Sequence, residues 1–269
     1  MGQQLGNISL AALSTIALVV GSTGVVLAAD LRAPIGKAPP IVADYNWTGF
    51  YIGGHVGGAW SSGSEATVSR LPNAAAGGFP TFTLDTDDSS GIGGGQIGFN
   101  WQFARSWVAG VEADISFAGI GGGSRVSPVP RLDPSTINPF SFASASHDLD
   151  WLGSVRARLG YAWDRWLLYA TGGLAYGRSK YAATVNLTDI VFPVAFAATK
   201  TGWTAGGGIE YGGWGAWTIR AEYLYYDLNA ASGSSNGIPS DAPQGFRYDW
   251  DTKVHVARFG LNYRFGAGR

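Results

Sequence analysis

The feature that most constrains this chain is the placement of its eleven tryptophans. Trp47, Trp101, Trp107, Trp163, Trp166, Trp214 and Trp217 fall at one set of ends of short alternating segments. Trp60, Trp151, Trp203 and Trp250 fall near the opposite ends. Indole prefers the boundary between hydrocarbon and water, so two levels of Trp mark two membrane interfaces. Between the levels, segments of about 10–15 residues alternate apolar and polar side chains, the length and period of a transmembrane β-strand.

Composition agrees with a lipid-facing surface. Only 14% of the 269 residues are charged, against about 25% in soluble domains, and 41 are Gly, which lets strands bend into a closed barrel. A soluble Gly-rich β-protein or a low-complexity fibre is the competing reading, and the regular aromatic spacing argues against both. A net charge of −1 gives no electrostatic pull toward nucleic acid. The absence of Cys excludes a disulfide framework, a thiolate metal site and a lipidated N-terminal Cys.

Residues 8–29 form the one long apolar stretch and end Val26-Leu27-Ala28-Ala29-Asp30. Small residues at its close and the Gly21–Gly24 interruption predict a signal peptide over residues 1–29, although Met1–Asn7 carry no Lys or Arg. A retained helical anchor is the alternative. Residues 30–46 hold three prolines and predict an extended periplasmic lead-in.

The alternation predicts eight strands: Trp47–Trp60, Gly93–Phe103, Trp107–Phe117, Leu149–Tyr161, Trp166–Gly177, Thr201–Tyr211, Trp217–Leu228 and Lys253–Phe265. Connections after the second, fourth and sixth are short. The others, residues 61–91, 119–148, 180–200 and 229–249, are long and polar. Outer-membrane barrels place short turns in the periplasm and long loops outside. The expected fold is therefore an all-β, eight-stranded antiparallel up-and-down transmembrane barrel over residues 47–265, with a tail at 266–269 and both mature termini in the periplasm.

With lipid outside, the polar face of each strand points into the lumen. That face carries Glu112, Asp114, Arg156, Arg158, Glu210, Arg220, Glu222 and Arg258. An eight-stranded barrel has room for side chains but not for a wide channel, and isolated buried charge is very costly. Four acids and four arginines predict an ion-paired plug. The functional readings of the same residues are an ion-selective constriction and a carboxylate pair, Glu112 and Asp114, at about 7 Å.

Other motifs point away from catalysis. Gly93–Gly98 matches G-x-G-x-x-G, yet Phe99–Phe103 continues as a strand, where dinucleotide binding requires a helix. His55, His147 and His255 share no metal-like spacing. His147 beside Ser144, Ser146 and Asp148, read as an outer loop, is the one cluster that permits a nucleophilic triad. No cofactor is expected.

The stretches Trp47-Thr-Gly-Phe-Tyr-Ile-Gly-Gly-His-Val-Gly-Gly-Ala-Trp60, Leu168–Gly177, Gly206–Tyr211 and Ala221–Tyr225 together resemble the alphaproteobacterial 25/31-kilodalton outer-membrane immunogenic proteins. The resemblance spans Trp47 to Phe265. It implies a porin-family barrel similar to the transmembrane part of the OmpA-like proteins, with a role in envelope integrity and host contact. Implied partners are outer-membrane lipids and lipopolysaccharide, the barrel assembly machinery, and host or surface ligands at the loops. The terminal aromatic, Phe265, is followed by four residues, whereas outer-membrane proteins usually end on the aromatic itself. The alternative function is a small passive channel for ions or small solutes.

Overall fold

A period of two in side-chain character dictates extended backbone, because only then does each face of a segment carry one kind of residue. The computed structural model describes residues 45–62, 64–71, 80–87, 89–120, 125–129, 141–187, 190–236 and 245–266. The expected signal peptide, most of the lead-in and residues 267–269 lie outside them. The strands are β1 (Gly49–Ser61), β2 (Glu65–Arg70), β3 (Phe82–Asp85), β4 (Ser89–Phe103), β5 (Trp107–Ile120) and β6 (Arg125–Pro128). They continue as β7 (Ser141–Trp163), β8 (Trp166–Leu187), β9 (Val191–Gly212), β10 (Trp217–Ser235) and β11 (Phe246–Arg264). Among the described residues there is no helix.

Eight strands form the ring in the order β1-β4-β5-β7-β8-β9-β10-β11. It closes where β1 pairs with β11 from Tyr51↔Arg264 to Ser61↔Val254, and every pairing is antiparallel. The short turns are tight. Trp163 pairs with Trp166 across Asp164 and Arg165, with Asp164 at φ 51°, a left-handed conformation that Asp tolerates.

The expected long loops are in large part strand. β7, β8, β9, β10 and β11 overshoot the expected segments at the long-loop end, and β2, β3 and β6 add to them by pairing with β11, β2 and β7. Residues 180–200 have few large outward side chains, so their composition resembles a loop. Their inward residues Tyr181, Ala183, Val185 and Phe192 are nevertheless buried with Val68, Phe246, Tyr248 and Trp250 in one apolar cluster. That shared core carries the sheet beyond the band between the Trp levels. Within it Tyr248 donates to the Phe192 carbonyl at 2.7 Å, and burial pushes its phenol well above the usual tyrosine range.

Between the two aromatic levels the outward face carries no Asp, Glu, Lys or Arg. It is lined by residues such as Leu174 and Phe259, 70% and 71% exposed. On β8 the band runs from Trp166 to Tyr176, about 33 Å along the strand and roughly 25 Å in height at a barrel tilt of about 40°.

Candidate functional site: a charged layer that crosses the barrel

Inward residues stack in four layers. At the short-turn end Trp47, Val108, Ala162, Leu167 and Tyr169 pack together. Next comes a charged layer. Above it lie Ala59, Ile92, Leu152, Leu224 and Val256, followed by the large apolar cluster of the overshooting strands.

The eight charged residues expected in the lumen all meet in that second layer, each at most 5% exposed. Glu112 on β5 accepts from Arg156 at 2.5 Å, from Arg220, and from Tyr51 Oη at 2.6 Å. Asp114 accepts from Arg156 at 3.0 Å, Arg258 at 3.1 Å and Ser154 Oγ at 2.5 Å. Glu222 on β10 accepts from Arg156 at 3.1 Å and Arg258 at 2.7 Å. Glu210 on β9 accepts from Arg158 at 2.9 Å and Asn262 at 3.0 Å. The Arg158 guanidinium also lies 3.8 Å from the Tyr169 ring centroid.

These pairs join strands that are not neighbours. β5 and β10 stand diametrically opposite in the ring of eight, yet Arg220 bonds to Glu112. Arg156 on β7 reaches Glu222 across two intervening strands, and Arg258 on β11 reaches Asp114 on β5 likewise. Neutral side chains complete this layer, among them His55 and Gln96, whose inward placement follows from strand alternation. His55 contacts Ser116 Oγ at 2.7 Å and Gln96, and Gln96 donates to Asn262 at 2.7 Å. All lie on the inward parity of their strands, which was the available signal.

The aromatic residues divide differently from the sequence expectation. Trp101, Trp107, Trp163, Trp166, Trp214 and Trp217 are exposed at the short-turn end together with Phe265. Edge and tilted pairs knit that girdle, including Trp166–Tyr211 at 4.6 Å and Trp217–Tyr263 at 5.1 Å. Trp60, Trp151 and Trp203 form the opposite girdle, with His255 stacked on Trp60 at 5.9 Å and bonded to Tyr223 Oη at 2.6 Å.

Trp47 and Trp250, expected at the interfaces, are instead 0% and 1% exposed. Trp47 belongs to a short non-strand entry segment that turns under the barrel, where its backbone N–H donates to Gln102 Oε1 at 2.6 Å. Trp250 projects inward on β11 into the outer core. His147 lies within strand β7 and not in a loop. It is buried and stacks on Tyr181 at 5.0 Å. Strand alternation sends Ser144, Ser146 and Asp148 to the other face, so the four residues expected as a possible triad do not converge. Gly93–Gly98 lies within β4, as its strand-like continuation requires.

A ring of eight strands, an outward apolar band and two girdles are what an outer-membrane barrel needs. The family model described as outer membrane protein beta-barrel domain matches residues 25–265. The chain belongs to that family. The 31 kDa outer-membrane immunogenic protein of Brucella melitensis biotype 1 is 34% identical over 245 residues, covering 89% of this chain and 93% of the relative. The 22 kDa outer membrane protein of Rhizobium leguminosarum bv. viciae is 28% identical, covering 72% and 73%. Among solved structures, the attachment invasion locus protein Ail of Yersinia pestis matches with TM-score 0.38 and 15% identity, over 81% of this chain and 99% of Ail. OprG of Pseudomonas aeruginosa matches with TM-score 0.43 and 13% identity, over 82% and 99%.

Membership places this barrel in the outer membrane of a Gram-negative bacterium. In such barrels the short turns are periplasmic and the long loops extracellular.

Proposed function

We propose that this family member is a non-enzymatic barrel with a sealed lumen, serving envelope integrity from within the membrane and contact with the surroundings from its extracellular end. The observation that carries the reading is the bond between Arg220 and Glu112, which joins diametrically opposite strands. A side-chain bridge across the full diameter, with the other buried charges packed around it and apolar layers on both sides, supports a closed lumen. Both members of the Glu112–Asp114 pair are held by arginines, which supports a structural role for them over acid–base chemistry. The Brucella relatives carry the word immunogenic in their names, which supports exposure of the extracellular end.

In this reading the apolar band contacts outer-membrane lipids and lipopolysaccharide. The exposed aromatics of the last strand serve recognition by the assembly machinery, and the extracellular segments meet host or surface ligands. Planar-bilayer conductance of the refolded barrel tests the seal. The expected result is no channel steps, alongside a lowered unfolding midpoint in the Arg156→Ala, Arg158→Ala double variant. Steady ion-selective steps from the unsubstituted barrel, altered by those substitutions while stability stays put, establish the small passive channel instead.

A further inference from the structure

We propose that the outer half of β9 is a strand-addition site, taking an extended segment of a partner polypeptide as a new antiparallel strand. β9 is paired on both sides only in its membrane half. From Gly202 to Gly212 it pairs with β10, whereas from Val191 to Thr201 it pairs with β8 alone. Beyond Leu228 the register of β10 slips, and its outer half pairs with β11. Among the described residues no strand pairs with the β9 edge from Val191 to Thr201.

The direction of the free main-chain groups follows from the turns. The Gly212 N–H donates to Arg165 and the Ile190 carbonyl accepts from Leu187, so even-numbered residues face β8. The Gly213 N–H donates to the Trp217 carbonyl on the β10 side. The β8–β9 register runs unbroken between these points, so the groups of Val191, Pro193, Ala195, Ala197 and Thr199 turn to the open edge. Pro193 has no N–H to offer there, which is where a strand tolerates proline. The other four present N–H and C=O at strand spacing, a row that only another extended backbone matches throughout.

The side chains beside this edge fit the same occupant. Inward Val194 and Phe196 are half-buried and close against Gly233 of β10, so β10 crosses the inner face of β9 and does not flank it. Outward Pro193, Ala195 and Ala197 are small and exposed, and no charge interrupts residues 191–199. The segment that fits continues the ladder already formed with β10 below, with apolar residues facing Phe196 and small uncharged residues outside. A second copy in the same membrane presents a β9 running in the same direction. It therefore offers a parallel ladder, the less stable kind.

This inference deepens the surface-contact reading, and its failure leaves the conductance result and antibody access to the cell surface untouched. The test is residue-resolved amide exchange by NMR on the full refolded barrel in micelles. The probe is a synthetic peptide of alternating Thr and Val long enough to span Val191 to Thr201. Without peptide, the amides of Ala195, Ala197 and Thr199 exchange fast while those of Phe196 and Ala198 are protected by β8. Added peptide slows the first group by about tenfold or more. Ala197→Pro removes one free N–H in the manner of Pro193 and abolishes the slowing at Ala195 and Thr199, with Phe196 protection retained as proof of folding. Three results overturn the proposal: no slowing with peptide, slowing that survives Ala197→Pro, or protection that appears without peptide and rises with barrel concentration, which assigns the edge to a second copy.

Discussion

The guanidinium of Arg264 lies over the rings of Tyr45 and Trp47, 4.8 Å and 5.4 Å from their centroids, at the periplasmic mouth. Arg264 is 2% exposed, and its Nη2 donates to the Asn46 carbonyl. One cation thus ties the last ring strand to the entry segment, and Trp47 becomes the floor of the lumen.

Trp47→Ala is expected to destabilise the barrel by about 3–5 kcal/mol, the usual cost of deleting a buried Trp. Trp214, 80% exposed, is expected to tolerate the same change to within about 1 kcal/mol. Urea unfolding in detergent, followed by tryptophan fluorescence, measures both. Equal effects of the two substitutions contradict the inward placement of Trp47.

Removing one arginine leaves the buried charged layer one positive charge short. Arg156 serves Glu112, Asp114 and Glu222, so Arg156→Ala is expected to cost about 3–5 kcal/mol. Pairing it with Glu112→Gln is expected to recover part of that loss, since one orphaned charge disappears. A double-mutant cycle on the unfolding midpoint reads the coupling.

Glycines on the two faces are expected to differ in their tolerance of Ala. A Cβ at Gly202 would lie 1.9 Å from the Asp227 carbonyl oxygen, whereas at Gly54, on the lipid face, the nearest atom is 3.6 Å away. Gly202→Ala is expected to cost about 3 kcal/mol or block closure, and Gly54→Ala to change stability by no more than about 1 kcal/mol. The shift of folded against unfolded bands on unheated gels reports whether each variant closes.

Tyr248 predicts an alkaline limit. Its phenol is raised by burial, so above about pH 10, where an unfolded tyrosine ionises, the unfolded chain binds fewer protons than the folded one. Stability then falls as pH rises. Tyr248→Phe loses a hydrogen bond at neutral pH but escapes this loss. The stability gap between the two proteins is expected to narrow from pH 9 to pH 11, and a constant gap contradicts the linkage.

Much of this was legible in the sequence because parity and charge count are physical constraints. Alternation placed all eight charged residues of the second layer on one face, and matched signs required them to meet. Parity also held the information that Trp47 and Trp250 point inward. Trp47 shares its parity with Tyr51 and His55, and Trp250 with Val254 and Arg258. An indole at a segment end meets the interface pattern on either face, so position without parity does not separate an anchor from a core residue. The extracellular strands were not legible, because small residues such as Ala182, Ala183 and Ala195 have loop-like composition until a packed partner face is known. Cross-lumen partners were equally out of reach, since they depend on which strands close the ring.

β8 continues eleven residues past Tyr176 to Leu187, about 36 Å along its axis and roughly 28 Å in height at the usual tilt. The outer parts of the described strands therefore form a packed pedestal above the membrane band. A molecule that grips them is held a fixed stand-off from the bilayer, and tension applied there passes along hydrogen-bonded ladders into the membrane band.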